Sequence, residues 1–178
     1  MKNKKVLFVI ANSQLSGAES QLLLLASNLN NNKFSAEICC LEGDGTFTAA
    51  VKKTGLPLHI IHRRQSFDLN RLIGLIKLVR KGRYQIVHSF NWSANQYVRI
   101  VRIFFNFLVI SSERGRDYNN WFRNFIEQLI CRYSDVVIFN SFSQMDKYNN
   151  VNSVKIQKII IYNGIDTKKY KKWNNAYI

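Results

Sequence analysis

Lys5-Val6-Leu7-Phe8-Val9-Ile10, running on through the polar loop Asn12–Gly17 into Ala18–Leu29, decides the fold. An unbroken apolar run, with no polar residue alternating through it, reads as a strand buried on both faces. That is the pattern of a parallel sheet covered by helices on each side. The segment after the loop changes period. Leu22, Leu25, Ala26 and Leu29 recur at i, i+3, i+4 and i+7, one buried stripe of a helix, and Asn30–Asn32 stops it.

The same alternation continues outward from this unit. Phe34–Leu41 predicts a strand, Thr46–Lys53 a short helix ended by Gly55, and Leu58–Ile61 a third strand. Leu69–Lys81 predicts a helix with Leu69, Leu72, Ile73, Ile76 and Val79 on its inner side. Gln85–Ser89 predicts a fourth strand, followed by a helix over Ser93–Phe104 whose Asn95, Arg99 and Arg102 share a polar face. Phe107–Ser111 is a fifth strand, and Trp121–Tyr133 a helix that turns Phe122, Phe125, Ile126 and Leu129 inward. Val136–Phe139 and Lys158–Tyr162 complete the series. About seven strands alternating with helices predict an α/β domain, a doubly wound, mostly parallel sheet. In such sheets ligands sit beyond the carboxyl ends of the strands.

Composition agrees with one folded domain. The chain has 178 residues, 47% of them hydrophobic, with 12 Phe, 8 Tyr and 3 Trp, enough to build a core and to exclude a disordered chain. Lys and Arg number 26 against 11 Asp and Glu, a net charge of +15. Such a surface attracts anions, whether nucleic acid, acidic lipid or phosphorylated ligands, and does not choose among them. Cys39, Cys40 and Cys131 are odd in number and fit neither a disulfide framework nor a CxxC metal pair, so reduced thiols in a cytosolic protein are expected. Ile100–Ile110 is broken by Arg102 and Asn106 and does not read as a membrane span.

Five loops after strands carry candidate chemistry. Ser13–Glu19 opens the first helix, where unpaired backbone N–H groups at Ser16, Gly17 and Ala18 suit a phosphate. Taken alone it reads sooner as an ordinary turn with Ser16 as N-cap and Glu19 completing a capping box. His88 and Asn91 end the fourth strand, His88 as an acid, base or hydrogen-bond donor, or simply as a partly buried polar residue. Ser111–Asp117 holds Glu113, Arg114 and Arg116, whose guanidinium forks match phosphate. Alone it is also a solvated charged loop. Ser141 follows the sixth strand. Asn163-Gly164 follows the seventh and is also a plain turn signal. No GxGxxG, P-loop, HExxH or GxSxG is present, which disfavours dinucleotide, ATPase, metalloprotease and α/β-hydrolase chemistry.

In this order the loops resemble the N-terminal, Rossmann-like half of GT4-type retaining glycosyltransferases of the GT-B fold. The matching pieces are Val6–Ile10, Ser16-Gly17-Ala18-Glu19 where the family usually has Gly-Gly-Ala-Glu, and Gln85-Ile86-Val87-His88-Ser89 where it commonly has Asp-Ile-Val-His. Ser112-Glu113-Arg114-Gly115, Val136–Ser141, and Tyr162-Asn163-Gly164-Ile165-Asp166 with Tyr170 complete the set. Phe90 stands where many members have a second His, and Arg114 where some have an active-site His, so no His-based role carries over at Arg114.

The resemblance implies a nucleotide-sugar donor held mainly by a second domain, an acceptor glycan or lipid-linked precursor on this one, and no metal or other cofactor. It implies catalytic roles for His88, Glu113 and Arg114, donor-phosphate contacts at Ser16–Ala18, and a cleft lined by Asn91, Ser141, Asn163 and Gly164. The domain is expected to span residues 1–166, with 167–178 beginning a linker. The family's Glu-x7-Glu donor element is not present, so the expectation is a fragment or one half of a split transferase, inactive without a separate C-terminal-domain chain. Arg63, Arg64, Arg71, Lys77, Arg80, Lys81 and Arg83 around a Leu/Ile-rich helix suggest an anionic membrane surface on the cytoplasmic side, or a core helix with a solvated basic rim. A non-catalytic docking subunit is a further reading. Nucleic-acid binding rests on charge alone and is disfavoured.

Overall fold

The computed structural model describes residues 3–64, 68–115 and 119–167. Seven strands and six helices alternate: β1 Lys4–Ile10, α1 Gly17–Ser27, β2 Phe34–Cys40, α2 Thr46–Thr54, β3 Leu58–Ile60, α3 Leu69–Gly82, β4 Ile86–Phe90, α4 Asn91–Arg102, β5 Leu108–Glu113, α5 Trp121–Ile130, β6 Val136–Phe139, α6 Phe142–Val151 and β7 Gln157–Ile160. A 3-10 turn, Cys131–Tyr133, extends α5. All seven strands are parallel, in the order β3-β2-β1-β4-β5-β6-β7. The chain thus winds outward from β1 in one direction, returns through α3, and winds outward again from β4.

β1 sits centrally between β2 and β4, and Val6 to Ile10 are buried on both faces. Leu7 and Val9 pack with Leu75 and Val79 of α3 and Ala94, Val98 and Val101 of α4. Phe8 and Ile10 pack on the opposite face with Leu22 and Ala26 of α1 and Phe47 and Val51 of α2. Burying each such side chain contributes roughly 1.5–3 kcal/mol before the loss of chain entropy. α2 ends on Gly55 at φ 74, the left-handed stop that glycine adopts without Cβ strain. α3 begins on Asp68, whose carboxylate accepts the Asn70 N–H at 2.8 Å.

Beyond β4 the cover becomes one-sided. α6 packs Tyr148 on Val137 and Phe139. On the α1–α2 face, Leu108 and Ile159 of the outer strands are exposed, as is Leu25 of α1.

Four sequence expectations change here. In α3 the inward side is Arg71, Leu75 and Val79, while Leu69, 62% exposed, and Ile73 face out. In α4 the polar stripe faces inward: Asn95 and Arg99 are buried, and only Arg102 reaches the surface, bonding the Phe105 carbonyl and Asn106. In α5 the expected direction is reversed. Its buried residue is Glu127, and Trp121, Phe122, Phe125 and Leu129 are exposed. The reason is electrostatic. Buried Arg99 needs a carboxylate, Glu127 supplies one at 2.8 Å, and that pairing fixes which side of α5 meets α4. Finally, α6 is a helix that the sparse apolar spacing of Phe142–Val151 did not predict.

Candidate functional site

The helices that start at the carboxyl edge of the sheet differ in how their first turns are capped. Asp68, Asn120 and Ser141 each accept a backbone N–H at the start of α3, α5 and α6. Neither Ser16 at α1 nor Phe90 at α4 does so. Ser16 occupies the N-cap position, but its hydroxyl donates to the Glu19 carboxylate instead of completing the expected capping box. At α4 the strand runs straight into the helix through Asn91, which adopts φ 69, a left-handed conformation that Asn tolerates better than most residues. Non-glycine residues held there cluster at functional sites. Asn91 Nδ2 and Ser16 Oγ both point to Glu19, so one buried carboxylate joins the two helix starts.

These two uncapped starts open on a common cavity of about 560 Å³. Ser16, Gly17, Ala18, Asn91, Arg114 and Asn163 line it, six of the residues singled out in the sequence. A Cβ built on Gly17 would meet no other atom within 4 Å, so the space beside it is the cavity itself. Trp92, Ser93, Gly115, Arg123, Asn140 and Gln144 complete the wall. Trp92 and Arg123 were not foreseen: Trp92 falls just before the helix expected over Ser93–Phe104, and Arg123 lies within the one expected over Trp121–Tyr133. The lining has two arginines and no acidic side chain, and two helix starts add the positive ends of their dipoles.

Arg114 is held from several sides. Its Nη1 donates to Asn163 Oδ1, and its guanidinium lies 5.4 Å from the Phe90 ring centroid. Burial lowers its pKa from the usual arginine value. Gly164 is placed by Gln21, which accepts from its N–H and donates to its carbonyl, both at 2.8 Å. This ties the last loop to α1 and sets Gly164 beside a neighbouring cavity. Ser141 caps α6 by accepting from the Gln144 N–H at 3.3 Å.

His88 and Glu113 lie under the floor of the cavity and do not line it. His88 is 6% exposed, its ring 5.5 Å from Phe8 and 4.5 Å from Phe90, with Nε2 2.9 Å from Ser112 Oγ. Burial, and secondarily the charge of Arg114, lowers its pKa to about 3, so the imidazole is neutral. Glu113 is fully buried and accepts from Asn95 Nδ2 at 2.8 Å, and Asn95 in turn accepts from Ser89 Oγ at 2.7 Å. In this arrangement His88 is tied to Ser112 and Glu113 to Asn95 at the strand ends. Arg116 lies outside the described residues, as do Tyr170 and residues 168–178. All three cysteines are buried free thiols, and burial raises the pKa of Cys39 and of Cys40.

An anion-adapted cavity at the carboxyl edge of a parallel sheet is what the sequence resemblance implies, and comparison with known families decides the matter. The chain matches the Glycosyltransferase Family 4 model over residues 15–169. It belongs to that family. The fold is that of one Rossmann-like half of a GT-B glycosyltransferase. The Anabaena Alr3699/HepE structure in complex with UDP superposes with a TM-score of 0.79 at 16% identity, covering 93% of this chain and 46% of that one. A glycosyltransferase from Rickettsia africae ESF-5 gives 0.74 at 16% identity, covering 98% and 47%. The lipopolysaccharide outer core galactosyltransferase WaaB, in its apo form, gives 0.68 at 15%, covering 91% and 46%. The chain thus spans about half the length of these structures. A search of curated protein sequences gave no significant match.

Proposed function

We propose that this chain is the acceptor-side half of a glycosyltransferase moving a sugar from a nucleotide-sugar donor to a glycan or lipid-linked acceptor. Residues 1–166 form that half, and the chain after them leads towards a donor-side half. One observation carries the reading. Two uncapped helix starts, Arg114 and Arg123 converge on a cavity without acidic side chains. Such a site stabilises a diphosphate, and most of all the charge that develops on the leaving phosphate when the glycosidic bond breaks. Solved relatives hold UDP and UDP-glucose, which makes UDP the probe to use. His88 and Glu113 act through Ser112 and Asn95 as positioning residues, and Arg114 is the side chain in reach of the reacting phosphate.

The test is a UDP titration of the full chain to millimolar concentration, followed by amide NMR. Shifts should centre on residues 16–18 and 91–93. Gly17→Val should weaken binding about tenfold by filling the cavity, at about 1.4 kcal/mol per decade, without loss of stability. Equal UDP affinity in Gly17→Val and Arg114→Gln would sink the assignment.

The acceptor is placed at a membrane surface in this reading, on the cytoplasmic side. No helix among the described residues is long and apolar enough to cross a membrane. The support is the outward row of Trp121, Phe122, Phe125 and Leu129 on α5, with Arg123 and Arg132 on the same helix and its 3-10 extension. Apolar side chains beside cations are the make-up of an interfacial helix.

A further inference from the structure

We propose that a second recess, beside the diphosphate cavity and sharing Asn91, Trp92, Ser93 and Arg123 with it, binds a phosphate group carried by the sugar acceptor. This rests on the reading of the chain as an acceptor-side half and adds the chemical class of the acceptor. The recess holds about 460 Å³, and three arginines, Arg63, Arg71 and Arg123, line it with no acidic side chain among the lining residues.

Arg71 carries the inference. It is only 2% exposed. A guanidinium withdrawn from water is costly unless an anion and hydrogen-bond acceptors receive it. This molecule shows how it meets that need for structural purposes. Arg99, fully buried, has Glu127 at 2.8 Å and donates from Nε to Ser134 Oγ at 2.8 Å. Among the described residues Arg71 has neither a carboxylate within ion-pair distance nor a side-chain hydrogen bond of this kind. Its Nε is buried without an acceptor among those residues; the Tyr97 ring lies 5.5 Å from its guanidinium, and Asp68 acts on it through charge without a hydrogen bond between them. Asp68, one turn before it, spends its carboxylate on the backbone N–H groups of Arg64 and Asn70.

A second unpaired donor belongs to a residue that lines the same recess. The Trp92 indole N–H is buried with no acceptor among the described residues. Arg123 stacks over the Trp92 ring at 5.0 Å, which holds its charge at the recess mouth. Arg63 is engaged by Glu42 at 3.8 Å. Two guanidiniums, an indole N–H and the uncapped start of α4 therefore face one space, a donor set that suits the two negative charges and three oxygens of a phosphate monoester.

The phosphate could reside on a soluble sugar or on a lipid, and two probes separate these. Glucose 6-phosphate and dodecyl phosphate in phosphatidylcholine vesicles are each titrated into the full chain, with glucose as the neutral control and the Trp92 indole N–H, assigned through Trp92→Phe, as the NMR reporter. Saturable binding of both probes identifies the phosphate itself as the determinant, and binding of the dodecyl phosphate vesicles alone identifies a lipid-borne one. In either case Arg71→Gln should lower affinity at least tenfold. Arg123→Gln, an exposed substitution with little bearing on folding, should do the same, and Lys77→Gln on the outer side of α3 should not. UDP is titrated in parallel. Phosphate probes that bind no better than glucose, or equally well to Arg71→Gln and Arg123→Gln, overturn the proposal while intact UDP binding leaves the transferase reading standing. Loss of UDP binding in the parent chain removes that reading instead, whatever the phosphate probes do.

Discussion

The β3-β2-β1-β4 half of the sheet and the β5-β6-β7 half are built by the same alternation of strand and helix, yet they bury different chemistry. In the first half Leu22, Phe47, Val51 and Leu75 cover both faces of an apolar β1, and buried charge among the described residues is confined to Glu19, Asp68 and Arg71 near the carboxyl edge. In the second, Arg99, Glu127, Asn95 and Glu113 are buried, while Phe125, Leu129 and Ile159 lie outside. The first half is stabilised by area removed from water, which is tolerant of detail. The second depends on particular pairs, each of which is costly to break. The cavity lies along the carboxyl edge of both, so a stable frame sits beside a region whose surfaces remain open to other molecules.

The largest expected effect tests that contrast directly. Glu127→Ala leaves Arg99 charged and buried without its carboxylate, and it also removes the acceptor of Gln96 Nε2 and Tyr148 Oη. Unfolding in urea should show a loss of about 4 kcal/mol. Replacing both partners, Arg99→Met with Glu127→Leu, should recover the part due to the unpaired guanidinium, about half of the loss, while Gln96 and Tyr148 still lack their acceptor. In the first half Leu22→Ala should lose about 3 kcal/mol through lost apolar burial and the cavity left behind. No single second substitution should restore it. A double variant as weak as Glu127→Ala would mean that the pair does more than neutralise itself.

The next effect concerns the boundary between the halves, where His88 on β4 is buried between two phenyl rings. Its folded pKa of about 3 lies below the ordinary value of 6.5. The unfolded chain therefore takes up the proton first. Stability from this group is present above pH 6.5 and is lost as the pH falls towards 3, at about 1.4 kcal/mol per pH unit. Between pH 6.5 and 4.5 that is roughly 2–3 kcal/mol. His88→Gln should flatten this part of the urea-midpoint profile. An unchanged slope would show that His88 is protonated in the folded state and that the boundary is wetter than its burial indicates.

The difference between the halves also explains what the sequence could and could not convey. Val6–Ile10 reads correctly because a continuous apolar run has one outcome, burial on both faces. The loops at residues 16–18, 91, 114 and 163 were found by position, since a parallel sheet gathers the segments after its strands along one edge. Periodicity, in contrast, defines a stripe and not its direction. Asn95 and Arg99 form a stripe, as do Phe122, Phe125 and Leu129, and in both helices the direction is set by a partner 28 residues away, Glu127 for Arg99. Nothing local encodes that pairing. Arg123 was hidden for the same reason, lying within a helix whose apolar pattern dominates the reading, while Trp92 fell between the expected strand and helix and Arg71 was legible only as one of the basic residues around a helix.

The smallest effect on stability belongs to α5, and it separates the two meanings of an apolar stripe. If Phe125, 53% exposed, and Leu129 serve the fold, replacing them would resemble Leu22→Ala. The structure places them outside. Phe125→Gln with Leu129→Gln keeps good helix formers at both positions, so the unfolding free energy should move by no more than about 0.5 kcal/mol. Sedimentation with phosphatidylglycerol vesicles at low salt should respond instead. Each side chain withdrawn from the lipid boundary forfeits part of the roughly 1.5–3 kcal/mol that full burial would contribute, so vesicle affinity should fall about tenfold or more. Vesicle binding unchanged in this variant would move any membrane contact to the basic rim of α3, where Lys77, Arg80 and Lys81 face out. Raising the salt would then abolish binding in parent and variant alike, because charge without apolar insertion is fully screened.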